Sequence, residues 1–430
     1  MRFIADLQIH SKYSRACSQE LNPKNIGAWA DKKGINIIGT GDFTHPKWLA
    51  ELKESLEETK PGLYQLRDKS SHSFFMLTAE VSSIYKQGDK VRRVHNLIWA
   101  PNFKAVDRII AGLEKTGANL KSDGRPIMGV HCDTLVKIVK EADMGAEVIP
   151  AHAWTPHFGL FGSLSGFDTV EEAFGDQAKY IRAIETGLSS DPKMNWQISN
   201  LDKYSLTSNS DAHSLRKLGR EANVFEIDEK KLSYSEVIRV LYGKNPKEFL
   251  YTIEFFPEEG KYHLDGHRDC KFSCLPPQTK KLKGLCPVCG KKLLVGVLNR
   301  VEVLADREWG FVPKRAIPFK SVIPLEEVIA DVYGVGVQSK KVTLTYEKML
   351  GERIRELEKE KVSEFEVLLD LDEQKIASIS SPEIAQAIIR VREGKINVTG
   401  GYDGEFGKVH IFTEGEREKL LKKAKQTSLF

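Results

Sequence analysis

The sequence predicts an α/β fold in which about seven βα units form a closed or nearly closed barrel. Over residues 1–250, short apolar strands alternate with amphipathic helical segments, which is typical of parallel βα units. A cysteine-rich stretch interrupts this pattern at residues 258–300, and helical spacing of apolar residues returns from Pro313. We therefore expect three regions: a barrel, a small metal-binding module and a helical domain at 313–425.

The predicted strands are apolar runs bounded by polar or glycine-containing turns. In chain order they read RFIADLQI, INIIGT, FFMLTAEV, VHNLIWA, EVIPAH, RAIETG and YSLTSN. The segments between them, such as NIGAWADKKG, WLAELKESLEE, VDRIIAGLEKTG and TLVKIVKEA, repeat apolar residues at helical spacing. In a barrel built this way, functional side chains collect at the carboxyl ends of the strands.

The composition is that of a soluble globular protein, since 41% of the 430 residues are hydrophobic and 29% are charged. No apolar run approaches the roughly 18 to 20 residues that a membrane span needs. The N-terminus lacks the basic and then apolar pattern of a secretion signal. We therefore expect a cytoplasmic protein that does not associate with membranes.

Positive charge is concentrated around the cysteines. The net charge of the chain is +4, whereas residues 261–320 carry nine Lys and four Arg against three Asp and two Glu, a net of +8. The rest of the chain is therefore at −4. A solvated lysine-rich loop is one explanation, but a nucleic-acid contact is favoured because a zinc module occupies the same stretch.

Four of the six cysteines form the most specific local motif. Cys270-x3-Cys274 is followed after eleven residues by Cys286-x2-Cys289 and a glycine. Two thiolate pairs at such spacing predict one tetrahedral structural zinc site, and the glycine suits the turn of a zinc knuckle. Two disulfides are the alternative, and the absence of a secretion signal argues against them.

Potential metal ligands follow strand after strand. They are Gln8, His10, Asp42, Glu80, His95, His152, Asp211 and His213. A lone histidine is more often structural than a ligand, but side chains at the ends of barrel strands converge on one mouth. So many carboxylates and imidazoles would need cations between them. The shared position therefore predicts a site for divalent Zn, Mg or Mn ions.

These residues resemble the motifs of the polymerase and histidinol phosphatase (PHP) family of metal phosphoesterases. QIHS is similar to the family's H-x-H-S, TGDF to its T-D-H, HNL to its H-x-L, and SDAH to its D-x-H, with Glu80 as its glutamate. The resemblance implies a distorted seven-stranded barrel that holds up to three divalent ions.

Three positions depart from the family pattern. Gln8 stands where the family usually has His, Phe43 follows Asp42 where His is common, and Cys17 lies where Asp or His often completes the first cluster. Gln8 would bind through its amide oxygen more weakly than an imidazole, and Cys17 would bind only as a thiolate. These differences make three bound ions less expected, but they do not argue strongly against a metal site as such.

Four other residues are candidates for supporting or catalytic roles. His131 in GVHCDT is a candidate ligand or proton donor, and His157 a candidate substrate contact. Glu185 is expected to brace the barrel mouth. Asp191 in SSDPKMNW is a candidate catalytic carboxylate, with capping of the helix that begins at PKMNW as the alternative.

The C-terminal region carries two shorter motifs. VYGVGVQSKKV is similar to the hairpin of helix-hairpin-helix DNA binders, in which backbone amides face a phosphate, and a loop between core helices is the alternative. The last residues, QTSLF, resemble a shortened sliding-clamp-binding box with Gln426, Leu429 and Phe430 in the clamp pocket. A frayed terminus that binds nothing is the alternative for residues 426–430.

The order of barrel, zinc module and helical tail resembles the archaeal endonuclease Q family over nearly the whole chain. That family nicks DNA on the 5′ side of deaminated bases such as uracil, hypoxanthine and xanthine, and of abasic sites. The resemblance implies a DNA-repair endonuclease that acts on double-stranded DNA. The residues themselves indicate hydrolysis of a phosphodiester by metal-activated water. Trp154, Phe158, Phe161 and Trp196 would receive the lesion base or serve as packing residues.

Two other functions fit parts of the sequence. A small-molecule phosphatase of the histidinol phosphate type would use the barrel ligands but would need neither the zinc module nor the long tail. A non-catalytic DNA-binding scaffold on a decayed barrel is favoured by Gln8 and Phe43. The retained Asp42, Glu80 and Asp211 argue against that scaffold.

Overall fold

Twelve strands form the N-terminal part of the protein. The computed structural model describes residues 1–351 and 361–417. The strands are β1 (Arg2–Asp6), β2 (Ile37–Gly39), β3 (Leu56–Lys60), β4 (Leu63–Leu66), β5 (Phe74–Gln87), β6 (Lys90–Ala100), β7 (Ile127–Met128), β8 (Glu147–Pro150), β9 (Ala183–Glu185), β10 (Ser205–Thr207), β11 (Ala222–Glu226) and β12 (Phe249–Glu254). Each of the seven strands expected from the sequence is present, as β1, β2, β5, β6, β8, β9 and β10.

Helices fill the connections, as the apolar spacing predicts. They are α1 (Pro23–Lys33), α2 (Pro46–Ser55), α3 (Phe103–Glu114), α4 (Cys132–Ala142), α5 (Val170–Phe174), α6 (Pro192–Asn195) and α7 (Tyr234–Gly243). Local capping defines their starts: the Asn22 side chain accepts from Asn25 N at α1, and the Asn102 side chain accepts from Ala105 N at α3. Across the described ranges, no helix combines the length and the apolar character that crossing a membrane requires.

The main sheet is mixed, which differs from the parallel barrel expected from the sequence. β1, β2 and β5 run parallel to one another, whereas β6 is antiparallel to β5 and to β8, and β11 is antiparallel to β1. The reason is local, because β5 and β6 are joined only by Gly88 and Asp89. A two-residue connection cannot hold a crossover helix, so the two strands must pair as a hairpin.

The pair β9–β10 forms a separate two-stranded parallel sheet beside the main one. Two backbone hydrogen bonds connect it to segments that follow strands of the main sheet. Ala153 N, after β8, donates to Glu185 O of β9, and His10 N, after β1, donates to Ala212 O, after β10, each over 3.0 Å. Both bonds lie just beyond the carboxyl ends of strands. The strand ends of the two sheets therefore meet at one mouth, although the strand pairing in the described residues does not close into a ring.

The cysteine-rich region folds as a small module against the N-terminal sheet region. Its elements are β13 (Asp265–His267), β14 (Phe272–Cys274), α8 (Pro276–Lys281) and α9 (Val297–Leu304). Val297 and Val301 of α9 belong to the main hydrophobic core, so the module packs on the N-terminal sheet region. Buried Asp265 joins its parts, because Asp265 Oδ1 accepts from Gly296 N over 2.7 Å.

The C-terminal region has its own core of buried side chains, which extends from Ile323 to Phe412. Its elements are β15 (Phe319–Ser321), α10 (Leu325–Tyr333), α11 (Lys340–Gly351), α12 (Glu373–Ile379), α13 (Pro382–Arg392), β16 (Asn397–Thr399) and β17 (Lys408–His410). β15 pairs in parallel with β12 and so belongs to the main sheet. The domain boundaries drawn from the sequence stay predictions, and the tail 426–430 lies outside the described residues.

Buried carboxyl groups lie beneath the mouth. Glu254 is fully buried, and its Oε2 accepts a hydrogen bond from Thr186 Oγ1 over 3.1 Å. Burial raises the pKa of Glu254 to about 8. Burial and the neighbouring Glu254 likewise raise the pKa of Glu221 well above its ordinary range. The native state therefore holds protons here that an unfolded chain would release.

We predict that Glu254 makes the protein less stable as the pH rises. The folded-state pKa of about 8 exceeds the ordinary 4.5, so this contribution is complete below pH 4.5 and is lost as the pH passes 8. Glu254→Gln removes the titration, so its free energy of unfolding should fall less steeply between those pH values. Urea denaturation over that range, with exposed Glu229→Gln as the control, measures this. Identical pH dependence in Glu254→Gln and the wild type would contradict it.

Candidate metal centre

Six of the predicted metal ligands lie together at the mouth in two donor groups. The groups are His10, Asp211 and His213, and Glu80, His95 and His152. Within each group, one ligand atom per residue lies within 4.8 Å of the others. The two groups are adjacent, because His10 Nε2 is 3.1 Å from Glu80 Oε2. They therefore form one continuous site.

His10 lies at the centre of this site. Its Nδ1 is 3.0 Å from Asp42 Oδ1, and its Nε2 is 3.0 Å from Asp211 Oδ1. Burial disfavours the imidazolium, but the surrounding carboxylates hold the pKa of His10 well above its ordinary range. If Nδ1–H is donated to Asp42, the Nε2 lone pair faces two carboxylates, an arrangement that a bound cation would stabilise.

Glu80 is shared within the second group. Its Oε1 lies 2.6 Å from His95 Nδ1 and 3.3 Å from His152 Nε2, and the two ring nitrogens are 3.1 Å apart. Burial opposes ionisation of Glu80, but Arg125 and the imidazoles hold its pKa well below the ordinary range. Convergence of two imidazole nitrogens on one carboxylate oxygen is the arrangement expected of ligands to a common ion.

Three site residues have left-handed backbone conformations. The φ angle is +48° at Asp42, +28° at His152 and +48° at Asp211. Such angles are uncommon outside glycine, although Asp tolerates them better than most residues. Behind His152, a Cβ at Gly187 would lie 2.5 Å from His152 Cβ, so glycine is needed for this close approach. Conformations of this kind persist where the surrounding structure imposes them, often at functional sites.

Asp42 lies behind the donor groups rather than in them. Its Oδ1 faces His10 Nδ1, and its Oδ2 accepts from Ser11 N, Ser11 Oγ and Ser14 Oγ over 2.6, 2.7 and 2.8 Å. A carboxylate with all these partners orients the imidazole of His10, as the outer partners of metal-binding histidines do. Direct metal contact by Asp42 stays a prediction.

Gln8 also lies beside the donor groups. Its Nε2 donates to Glu80 Oε2 over 3.0 Å, while its Oε1 is buried and has no hydrogen-bond partner among the described residues. A buried amide oxygen without a partner is costly unless something outside the protein satisfies it. This oxygen, together with imidazoles and carboxylates, gives a donor set that suits divalent Zn, Mn or Mg ions. Gln8 as a ligand stays a prediction.

Neither of the two predicted catalytic residues is a member of either donor group, and their catalytic roles stay predictions. His131 is exposed, precedes α4 and stacks on Tyr85 with ring centroids 4.1 Å apart. Asp191 caps α6 by accepting from Met194 N over 2.9 Å, and burial raises its pKa to about 6. Capping is the alternative that the sequence left open for Asp191, and it accounts for the position of this carboxylate.

The aromatic residues predicted to receive a lesion base differ in exposure, and Cys17 is not grouped with the metal donors. Trp154 and Phe161 are fully buried and pack against each other with ring centroids 4.9 Å apart, so in this conformation neither has a free face for a base. Phe158 and Trp196 are partly exposed. Cys17 lies outside the donor groups, and burial raises the pKa of its thiol to about 12.

Arg125 is a site residue that the sequence analysis missed. Its Nη1 lies 3.5 Å from Glu80 Oε1. Burial opposes its charge, but Glu80, Asp211 and Asp42 raise the pKa of Arg125 above its ordinary value. Arg125 lies just before the two-residue strand β7. A strand this short shows no alternation of apolar and polar residues, so no feature of the sequence distinguished Arg125 from a solvent-exposed arginine.

The cysteine-rich module groups a histidine with three of the four cysteines of the predicted zinc site. The clustered residues are His267, Cys270, Cys286 and Cys289, and His267 Nδ1 lies 3.6 Å from Cys289 Sγ. Cys274 is buried instead, with its Sγ 3.2 Å from Thr279 Oγ1. The four-cysteine zinc site predicted from the sequence therefore differs from the donors that the structure groups.

The backbone explains this exchange. His267 and Cys270 have the same two-residue spacing as Cys286 and Cys289, and each pair is followed by a residue with positive φ, +49° at Lys271 and +74° at Gly290. The two segments are thus matching knuckles, as a tetrahedral zinc site requires. The sequence HRDC, which contains His267 and Cys270 at H-x2-C spacing, could have indicated this ligand pair. The C-x3-C spacing of Cys270 and Cys274 suggested a different pair.

We predict that His267→Ala and Cys286→Ser each lose the ion of this module, whereas Cys274→Ser keeps it. Loss of one ligand from four removes much of the metal's contribution to local folding. Thiolate-to-cobalt charge-transfer absorption of the Co²⁺-loaded full chain reports this module alone, because neither barrel donor group contains a thiolate. Loss of the absorption in Cys274→Ser with retention in His267→Ala would instead support the four-cysteine site.

The chain is similar to one protein family over its C-terminal region and to one bacterial protein over most of its length. The family model of the MJ0043 C-terminal domain matches residues 324–395. The uncharacterized protein YqxK of Bacillus subtilis is 27% identical over 383 residues, which cover 88% of this chain and 90% of YqxK.

Two solved structures match nearly the full length. The lesion-specific endonuclease PfuEndoQ from Pyrococcus furiosus has a TM-score of 0.83 and 31% identity, with 96% of each chain covered. Endonuclease Q in complex with a 27-mer duplex substrate, which has an abasic lesion at the active site, has a TM-score of 0.83 and 32% identity. That match covers 97% of this chain and 98% of the other. With this identity along almost the whole length, the chain belongs to the endonuclease Q family.

Proposed function

We propose that this protein is a DNA-repair endonuclease that hydrolyses the phosphodiester bond on the 5′ side of deaminated bases and abasic sites. The observation that carries the proposal is the pair of adjacent donor groups at one mouth, in a chain of the endonuclease Q family. The related complex contains duplex DNA with an abasic lesion, which supports lesion-containing double-stranded DNA as the substrate. Uracil, hypoxanthine and xanthine as lesions rest on the family resemblance.

Divalent ions would be held by the two donor groups. The ligands would be His10, Asp211, His213, Glu80, His95 and His152. Ions bound there polarise a phosphoryl oxygen and make water a better nucleophile near neutral pH. His213 Nδ1 donates to Asp211 O over 2.8 Å, which leaves its Nε2 available as a ligand atom.

The chain's own side chains orient the ligands and balance charge. Arg125, beside Glu80, carries a permanent positive charge that can pair with a phosphate oxygen. Glu185 accepts from His152 N over 2.7 Å and from Asn209 Nδ2 over 2.8 Å. Glu185 thereby braces the turn that carries His152, and Asp42 does the same for the His10 ring.

The two alternatives explain less of the molecule. A small-molecule phosphatase would account for the donor groups but not for the full-length similarity to DNA endonucleases. A non-catalytic scaffold has no need for six clustered donors with strained backbone at His152 and Asp211. We therefore favour hydrolysis of DNA over both.

We predict a single nick on the 5′ side of the lesion in duplexes that carry one uracil, hypoxanthine or abasic site, with Mg²⁺, Mn²⁺ or Zn²⁺ present. The products should have a 3′-hydroxyl and a 5′-phosphate, and mapping of the nicked strand on a sequencing gel identifies them. Asp211→Asn and His152→Ala should abolish nicking but largely retain DNA binding, because phosphate contacts come mainly from Lys and Arg.

Asp228→Asn, at an exposed aspartate, is the matched control and should nick like the wild type. Full cleavage by Asp211→Asn or His152→Ala would exclude the metal-dependent mechanism at this site. Release of phosphate from small monoesters, without nicking of any lesion, would favour the phosphatase alternative.

We also propose that the C-terminal tail binds a sliding clamp. Gln426, Leu429 and Phe430 lie outside the described residues, so this proposal rests on the sequence QTSLF. Gln426 would supply a hydrogen bond, while Leu429 and Phe430 would bury apolar surface worth roughly 1.5 to 3 kcal/mol for each side chain.

Deletion of residues 426–430 should weaken binding to the clamp of the same organism by orders of magnitude, because several kcal/mol of burial are lost. Nicking of free DNA should not change. Titration calorimetry with the full chain and the truncated chain compares the two affinities. Equal affinity for both forms would show that the tail binds nothing.

A further inference from the structure

A polar cavity lies beside the metal centre, between the β5–β6 hairpin and the loop that follows β8. Its volume is about 720 Å³. The cationic and imidazole side chains that line it are Lys90, Arg92, Arg93, His157 and Arg300. Asp168 and Glu172 are the carboxylates in the lining. Four permanent cations against two carboxylates leave the cavity positive.

The cavity and the metal centre share β6 as a wall. Arg93 and His95 are two residues apart on this strand, so their side chains point to the same face, about 7 Å apart along it. The loop after β8 runs beside them, since Arg93 N donates to Ser165 O over 3.4 Å and His95 N to Phe158 O over 2.9 Å. The Phe158 ring also packs on the His95 ring, with centroids 4.5 Å apart.

The cations of the cavity are of two kinds. Arg92 and Arg300 have structural partners: the Arg92 guanidinium stacks on Phe167 at 4.1 Å, and Arg300 pairs with Asp168 over 2.5 Å. Lys90 and Arg93 are exposed, and neither takes part in an ion pair with another residue of 1–351 or 361–417. Their charges are therefore available to an anionic ligand.

The loop side of the cavity is lined by Ser163, Ser165 and His157. Ser165 Oγ is buried without a partner among the described residues. The loop folds tightly, because a Cβ at Gly162 would lie 2.4 Å from Thr155 O, so glycine keeps side chains out of the turn. His157 lies close enough to Arg93 that burial and the guanidinium charge lower its pKa. The imidazole of His157 and the exposed cations of Lys90 and Arg93 thus line one space.

We propose that this groove, lined by Lys90, Arg93 and His157, binds backbone phosphates of the DNA strand that passes through the metal centre. The inference rests on the proposed function. A continuous strand fits better than a free nucleotide, because the cations extend outward along β6 from His95 to the hairpin tip. One DNA strand carries a charge about every 3.4 Å along the helix axis, so the 7 Å from His95 to Arg93 corresponds to about two nucleotides.

Arg93→Gln tests the groove in the full-length protein. Binding of a lesion-containing duplex should weaken, and the slope of log K against log salt should become less steep by about 1, since each lost phosphate contact removes about 0.9. Lys90→Gln combined with Arg93→Gln should reduce the slope by about 2. In Arg93→Gln, the increase in KM for nicking should be larger than the decrease in kcat.

Arg108→Gln is the matched control. Arg108 is an exposed arginine on α3, paired with Asp143 over 2.9 Å outside the groove, so its loss should leave the slope and the nicking unchanged. Unchanged melting temperatures of all variants exclude misfolding as the cause of an altered slope.

The possible results separate the groove from the proposed function. An unaltered salt slope in Arg93→Gln, with a wild-type protein that nicks lesions, would overturn the groove alone. A loss of kcat at saturating DNA with an unaltered slope would mean that Arg93 acts on the metal centre through β6, which also overturns it. A wild-type protein that neither binds nor nicks lesion DNA would refute the proposed function itself.

Discussion

The carboxylates gathered around His10 are the constraint on which the site depends. Asp42 and Glu80 are almost fully buried, and with Asp211 they lie within 3.1 Å of the His10 ring nitrogens. Taking such charges out of water costs several kcal/mol for each ion unless cations and hydrogen bonds compensate. The imidazoles, Arg125 and the neighbouring serine hydroxyls supply part of this compensation. Divalent ions would supply the rest, which is why the site fits them.

The same constraint accounts for the strained turns at the mouth. Asp42, His152 and Asp211 point inward only because the chain turns sharply where their strands end, and each adopts a positive φ. Such conformations cost of order 1 to 3 kcal/mol each. The backbone is also tightly packed here, as at Gly41, where a Cβ would lie 2.3 Å from Ile9 O, so only glycine fits. The side chains at the mouth therefore hold their positions at the cost of local backbone strain.

The regions beyond the barrel are fastened to it by buried polar contacts. Lys33 Nζ on α1 lies 2.7 Å from Glu364 Oε2, with both side chains nearly inaccessible to water. The same carboxylate accepts from Tyr346 OH over 2.6 Å and from Leu325 N over 3.0 Å, which ties it to the second core. These contacts join the C-terminal core to α1 of the main sheet region.

The sequence by itself indicated seven of the twelve N-terminal strands, the helices between them and the six residues of the two donor groups, because apolar periodicity and side-chain chemistry are local properties. It did not determine the pairing of β6 with β5, the contact of Asp42 with His10, the grouping of His267 with three cysteines, or the approach of Arg125 to Glu80. The first of these follows from the two-residue connection between β5 and β6, which the expectation of alternating strands and helices passed over. The others are contacts between segments distant in the chain or choices between neighbouring donors. Only the folded backbone decided them, because it fixes which side chains share a face and how closely they approach.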